Sequence, residues 1–139
     1  MFSSTKMKII DGKNAILGRL ASYAAKEALK GEEIIIVNSE QVIITGNKKN
    51  IKKNFEVKRS RVGSSQKGPK LSKTSEMILK RTIRGMLPDH RKGKGKEAFR
   101  RIKCYIGIPK EFQEVKKISG RRQTKEKRSK FIQIKEISK

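Results

Sequence analysis

Tryptophan is absent from this sequence, cysteine and histidine occur once each, and aromatic residues make up only 5% of it. With Cys104 alone there is neither an internal disulfide nor a zinc site built on cysteine pairs, and a lone thiol suits a reducing cytoplasm. With His90 alone, any Ser–His or Cys–His arrangement would depend on one imidazole in a loop beside Pro88, Asp89 and Arg91. No apolar stretch is long enough for a bilayer: the longest aliphatic run in the sheet-like segments is Ile34 to Val37. No apolar signal region follows the start, and a basic membrane-surface helix would want tryptophan or phenylalanine beside its lysines. Nor do Asp, Glu and His fall at metal-ligand spacing. These absences predict no catalytic residue, no metal, no cofactor, no membrane and no small-molecule substrate.

What the sequence does have is positive charge. Its 139 residues hold 37 Lys and Arg against 13 Asp and Glu, a formal net charge of +24. Residues 1–47 carry 6 basic and 5 acidic side chains, whereas residues 48–139 carry 31 and 8. Self-repulsion on that scale disfavours a compact lone protein and calls for a polyanionic partner. A core is still within reach. Leu, Ile, Val and Phe number 34, about 24% of the chain, above the roughly 20% below which disorder is the default. Length predicts one domain.

Along the chain, residues 1–6 precede a second methionine, Met7, and show no periodicity; they are either a start-site extension or an arm. Lys8–Asp11 is a short apolar-centred piece followed by the turn Asp11-Gly12-Lys13-Asn14. Leu17, Leu20, Ala21, Ala24 and Ala28 recur at helical spacing, with Gly31 placed to end the helix. Glu33–Asn38 reads as a strand buried on both faces, and Val42–Thr45, a second branched run closed by Gly46, as a further strand. Lys48, Lys49, Lys52, Lys53, Lys58, Arg59 and Arg61 follow, with Ile51 and Phe55 four apart: a basic helix pinned along one edge. Val62–Lys73, rich in Gly and Ser, predicts a loop. Leu79, Ile83 and Met86 give a helix over Thr74–Arg84, punctuated by Gly85 and Pro88. A short helix at Lys96–Arg101 then leads to a strand at Lys103–Ile108, stopped by Pro109. Lys116–Lys130 predicts an arm that orders only on a partner, and Phe131–Ile137 a piece that docks, as strand or helix.

Two glycine patterns invite a nucleotide reading, and neither carries it. Gly12–Gly18 has five residues between its glycines and lacks the Gly-Lys-Ser/Thr ending of a phosphate loop. Gly18 reads instead as permitting close packing or an RNA backbone approach. Gly93, Gly95 and Ala98 match the alanine-ended dinucleotide fingerprint, but no strand precedes them and no acid follows at ribose distance, around Ile118 to Arg122. Cys104, in an alternating apolar strand, reads as a buried structural thiol.

One isolated lysine cluster is usually a solvated face; several, spread over 92 residues, are not. Neutralising phosphates releases counterions and gives strong, salt-sensitive binding. The phosphate-facing candidates include Lys48, Lys49, Lys52, Lys53, Arg59 and Arg61 in the basic helix, and Lys67 and Lys70 in the loop. Arg81 in the next helix and Arg121 and Arg122 in the arm complete the set. Single-strand readers stack bases on aromatic platforms, which this chain has few of. Shape recognition of folded RNA fits better.

Four segments, in order and spacing, resemble family thirteen of the large-subunit ribosomal proteins in its archaeal and eukaryotic branch. They are Ile16-Leu17-Gly18-Arg19-Leu20-Ala21; Ile36-Val37-Asn38-Ser39-Glu40 with Thr45-Gly46-Asn47-Lys48; Ile83-Arg84-Gly85-Met86-Leu87-Pro88; and Ala98-Phe99-Arg100-Arg101-Ile102-Lys103 with Tyr105 and Gly107-Ile108-Pro109. Together they cover residues 8 to about 110. The resemblance implies a three-layer α/β/α fold around a small, largely parallel sheet of about four strands. It implies a structural, non-enzymatic protein that binds large-subunit ribosomal RNA early in assembly, beside neighbouring large-subunit ribosomal proteins. Arg19, Lys48, Arg84 and the basic residues between Pro88 and Lys103 (Arg91, Lys92, Lys94, Lys96, Arg100, Arg101 and Lys103) would face RNA. Gly18, Gly46, Gly85 and Pro88 would shape the backbone. Cys104 stands where the family pattern leads one to expect a branched aliphatic residue. The tail after Pro109 aligns with nothing, so residues 8–110 are expected as the α/β core and 111–139 as a basic C-terminal extension.

Overall fold

The computed structural model describes residues 6–61, 73–119 and 130–138. Strand β1 (Met7–Asp11) leads through helix α1 (Leu17–Leu29) to strand β2 (Glu33–Val37), parallel to β1 with Ile9 opposite Ile35 and Ile10 opposite Ile36. The alanine run explains α1. Alanine is the best helix former and adds little bulk, so Ala21, Ala24, Ala25 and Ala28 lie buried with Leu20. Gly31, at a φ of +100°, turns the chain back. β2 is central and its four branched residues, Ile34 to Val37, are buried on both faces, as a parallel strand requires.

After a 3-10 turn at Ser39–Gln41 come strand β3 (Ile43–Thr45), helix α2 (Lys48–Ser60), helix α3 (Ser75–Met86) and helix α4 (Gly93–Arg100). Strand β4 (Ile102–Cys104) joins the far edge of β2, and strand β5 (Ile118–Ser119) the free edge of β1. The result is a four-stranded parallel sheet in the order β4-β2-β1-β5. Strand β6 (Phe131–Gln133) runs into helix α5 (Ile134–Ile137).

One face of the sheet, carrying Ile10, Ile34, Ile36 and Ile102, packs with α1, α3, α4 and α5 into the main core. The opposite face carries Ile9, Ile35 and Val37 under the rings of Tyr105 and Phe112, whose centroids lie 6.0 Å apart. That third layer is thin, a single 3-10 turn at Lys110–Phe112.

β3 lies outside the parallel sheet and pairs antiparallel with β6, Ile44 opposite Ile132. Three expectations need correction. The fourth parallel strand comes from Ile118–Ser119, within the stretch expected to be a partner-ordered arm. And the strand expected over Lys103–Ile108 ends at Cys104, leaving Ile106 and Ile108 exposed. The reason lies in competing hydrogen bonds. Beyond Cys104 the carbonyls of Tyr105 and Gly107 accept from Ser39 and Asn38, and Gly107, at a φ of +66°, bends the chain toward the 3-10 turn. The helix expected at Lys96–Arg101 starts earlier, at Gly93.

The docking piece, Phe131–Ile137, is strand and helix in succession. Ile132, Ile134 and Ile137 are buried, so residues of the tail complete the core.

Candidate nucleic-acid interface

Many of the few carboxylates are spent on internal contacts. The Lys8 ammonium sits 2.6 Å from Glu27 and 2.8 Å from Glu32, and Lys30 sits 3.2 Å from Glu27. Lys8 above all, with the Lys30 ammonium, holds the Glu27 carboxyl down to about 2 despite its burial. Asp11 accepts from the Asn38 amide at 2.9 Å, Glu40 from the Gly107 N–H at 3.0 Å, and Glu136 from the Gln133 N–H at 3.2 Å. Carboxylates used this way leave the outward cations less compensated.

The first cationic surface is α2. Asn47 caps it, accepting from the Lys49 N–H at 3.0 Å, so one otherwise orphaned donor is satisfied. Gly46, at a φ of +135°, sets the entry and lies against Ile51. Phe55 packs on the core, while no α2 residue is fully buried. Lys48, Lys49, Lys52, Lys53 and Arg61 are therefore exposed, and Lys58 and Arg59 each stand 5.9 Å from the Phe55 ring centre. At the start of α2 a cleft of about 560 Å³ is lined by Asn47, Lys48, Lys49, Lys130 and Phe131. Lys130 was missed by sequence reasoning. Its neighbour Phe131, read as a docking residue, is the signal that could have placed it beside α2.

The second surface is the elbow between α3 and α4. Leu87 is buried, Pro88 and Asp89 lie on the surface, and the Asp89 carboxylate accepts from the Arg91 N–H at 3.0 Å. Gly95 lets α4 start directly beneath this turn, since a Cβ there would stand 2.7 Å from the Pro88 carbonyl carbon. Arg91, Lys92, Lys94, Lys96 and Arg100 are exposed around the elbow, and Lys80 lies 4.9 Å from the Phe99 ring centre. Arg81 and Arg84 are half-buried on α3.

Other candidates sit apart. Arg19 is exposed on α1, and Lys103 is exposed on the far face of the sheet, in register with Ile35. Arg101 turns inward, its Nη1 donating to the Ala28 carbonyl at 3.1 Å and its Nη2 3.8 Å from Glu97. It thereby holds one of the last carbonyls of α1. Gly18 and Gly85 lie in helices with nothing among the described residues within 4 Å of a would-be Cβ, so neither makes room for a packing contact there. Lys67, Lys70, Arg121 and Arg122 lie outside the described residues.

Little here suggests bond-making chemistry. Burial pushes the Cys104 thiol up to about 12, so it is the neutral, unreactive form at pH 7. His90 meets Phe99 edge-on with centres 6.3 Å apart. Gly93 follows helix α3 and a turn, not the strand that a dinucleotide fingerprint needs. Among the described residues no three His, Cys, Asp or Glu group to hold a metal, and no helix is long and apolar enough to cross a membrane. The outward arrangement is suited to anions.

Comparison with known proteins agrees. The profile of the family described as Ribosomal protein L13 matches residues 5–111. The large ribosomal subunit protein uL13 of Methanocaldococcus jannaschii is 48% identical over 136 residues, 96% of both chains. That of Methanococcoides burtonii is 40% identical over 134 residues, 95% of both. That of Thermoplasma volcanium is 48% identical over 104 residues, 75% of both. The first two alignments run well beyond Pro109, so the tail that seemed to align with nothing has counterparts. The chain belongs to the ribosomal protein L13 family, a structural and non-enzymatic component of the ribosome.

Proposed function

We propose that this protein binds and organises large-subunit ribosomal RNA, and that it does so early in subunit assembly. The observation that carries the reading is the division of charge. Glu27, Glu32, Asp11 and Glu40 face partners inside the fold, while Lys48, Lys49, Lys52, Lys53, Arg91, Lys92, Lys94, Lys96 and Arg100 face outward from two separate supports. The α/β core sets the geometry, and the supports neutralise phosphates where RNA segments converge. Phosphate contacts position the protein, and the scarcity of aromatics leaves shape, not base sequence, as what it reads. Large-subunit ribosomal proteins next to it are its other partners. The role uses no cofactor and no small-molecule substrate, and belongs to the cytoplasmic ribosome.

Sucrose-gradient sedimentation of lysate, repeated after a high-salt wash, tests this. The expected result is stoichiometric co-migration with the large subunit that survives the wash, and presence in its earliest precursor particles. Recovery mainly at the top of the gradient would contradict it and favour a free RNA-binding regulator.

A further inference from the structure

Arg59 stands out from the other cations of α2. It is half-buried on a helix whose other basic residues are exposed. Its Nε and Nη2 are shielded from solvent and have no hydrogen-bond partner among the described residues. Glu56, one turn earlier on the same helix, is exposed and accepts from neither. These two nitrogens are not an arbitrary pair. In a planar guanidinium they share one edge, so their N–H bonds run parallel and match two oxygens of a single oxyanion. Leaving such donors without an acceptor is unfavourable, because a buried polar group loses water and gains nothing. The guanidinium lies against the Phe55 ring, and Phe55 is seated on the core, so a phosphate contact requires the guanidinium to turn outward on the flexible stem of the side chain.

We propose that Arg59 is a phosphate clamp: its Nε and Nη2 take two oxygens of one RNA phosphate in a side-on, bidentate contact. This rests on the RNA-binding reading and names one contact within it. A phosphate fits better than a protein carboxylate because Lys52, Lys53 and Lys58 on the same helix, and Arg61 just after it, add positive potential that a polyanionic backbone satisfies and a single carboxylate does not. A bidentate site is also one where lysine cannot replace arginine, since an ammonium is a point charge.

The test compares Arg59→Lys, Arg59→Met and the control Lys26→Arg, at an exposed position of α1, in binding to naked large-subunit ribosomal RNA over a range of salt, with melting of each free protein. Expected is a drop in affinity on the order of tenfold for both Arg59 variants. The salt slope should be unchanged in Arg59→Lys and shallower by about one in Arg59→Met. Lys26→Arg should bind like the parent. Free Arg59→Met should melt no lower than the parent, since it removes an unpartnered charge. Parent-like affinity of Arg59→Lys would overturn the clamp, as would a lower melting temperature of free Arg59→Met, which would mean the guanidinium is satisfied within the fold. Failure of the parent protein itself to bind would instead remove the RNA reading on which the clamp rests.

Discussion

Gly95 and Pro88 touch backbone to backbone: a Cβ on Gly95 would overlap the carbonyl oxygens of Pro88 and Asp89 and stand 2.7 Å from the Pro88 carbonyl carbon. Helix α4 can therefore begin under the turn that ends α3 only because residue 95 has no side chain. Gly95→Ala should destabilise the protein by roughly 1–3 kcal/mol, the usual cost of overpacking. In an unconstrained helix the same change would stabilise by about 0.5–1 kcal/mol. Gly85→Ala, with nothing near its would-be Cβ, should show that opposite sign. Denaturant melts of the two variants check the pair, and stabilisation by both would refute the contact.

Glu27 makes stability pH-dependent. Its folded pKa, about 2, lies below the ordinary value of 4.5. The folded state thus binds its proton less readily than the unfolded one. The resulting stabilisation is complete above about pH 4.5 and is lost as pH falls toward 2. Lys8 is shifted the other way, upward, by hydrogen bonds to Glu27 and Glu32, so its contribution fades only in strong alkali. Glu27→Gln should melt lower at neutral pH and lose less stability than the parent on acidification. Parallel pH profiles for the two proteins would show that Glu27 is not the group responsible.

Arg101 separates folding from binding. Its guanidinium holds the Ala28 carbonyl at the end of α1, so Arg101→Met should destabilise the free protein by about 1–3 kcal/mol. Lys94→Gln with Lys96→Gln, both exposed, should leave melting unchanged within about 0.5 kcal/mol. The same pair should reduce the salt slope of RNA binding by on the order of one for each phosphate that is no longer neutralised. Thermal melts paired with salt titrations distinguish the two outcomes.

The tail is a structural element. Ile132 is fully buried opposite Ile44, so Ile132→Ala should cost roughly 2–5 kcal/mol. Amide exchange in β3 should accelerate with it. Unchanged stability would mean that β6 is not seated on β3.

These elements differ in how visible they were beforehand. The opening β-α-β unit was legible because its signals are local: the alanine-lined face of α1 and the run Ile34 to Val37 need no partner to be recognised. β5 was not, because two residues, Ile118 and Ser119, carry no periodicity and their pairing with Ile10 and Asp11 is set by the fold. The β3–β6 pairing joins Ile43 to Gln133, a separation over which local pattern has no reach. Among the cations, composition pointed to a polyanionic partner but carried no information on side-chain direction. Lys96 and Arg101 look alike in sequence, yet one is exposed and the other anchors α1. In the sequence Gly95 stands out only as part of a nucleotide pattern, because its contact with Pro88, seven residues earlier, is set by how α4 folds back under the turn.

The most direct measurement is equilibrium binding of the purified protein to large-subunit ribosomal RNA across a salt series, with unrelated structured RNA of equal length as competitor. If about six phosphates are neutralised, log affinity should fall against log salt with a slope near −4 to −5, and the ribosomal RNA should win the competition. A slope near zero, or equal binding of the unrelated RNA, would contradict the account.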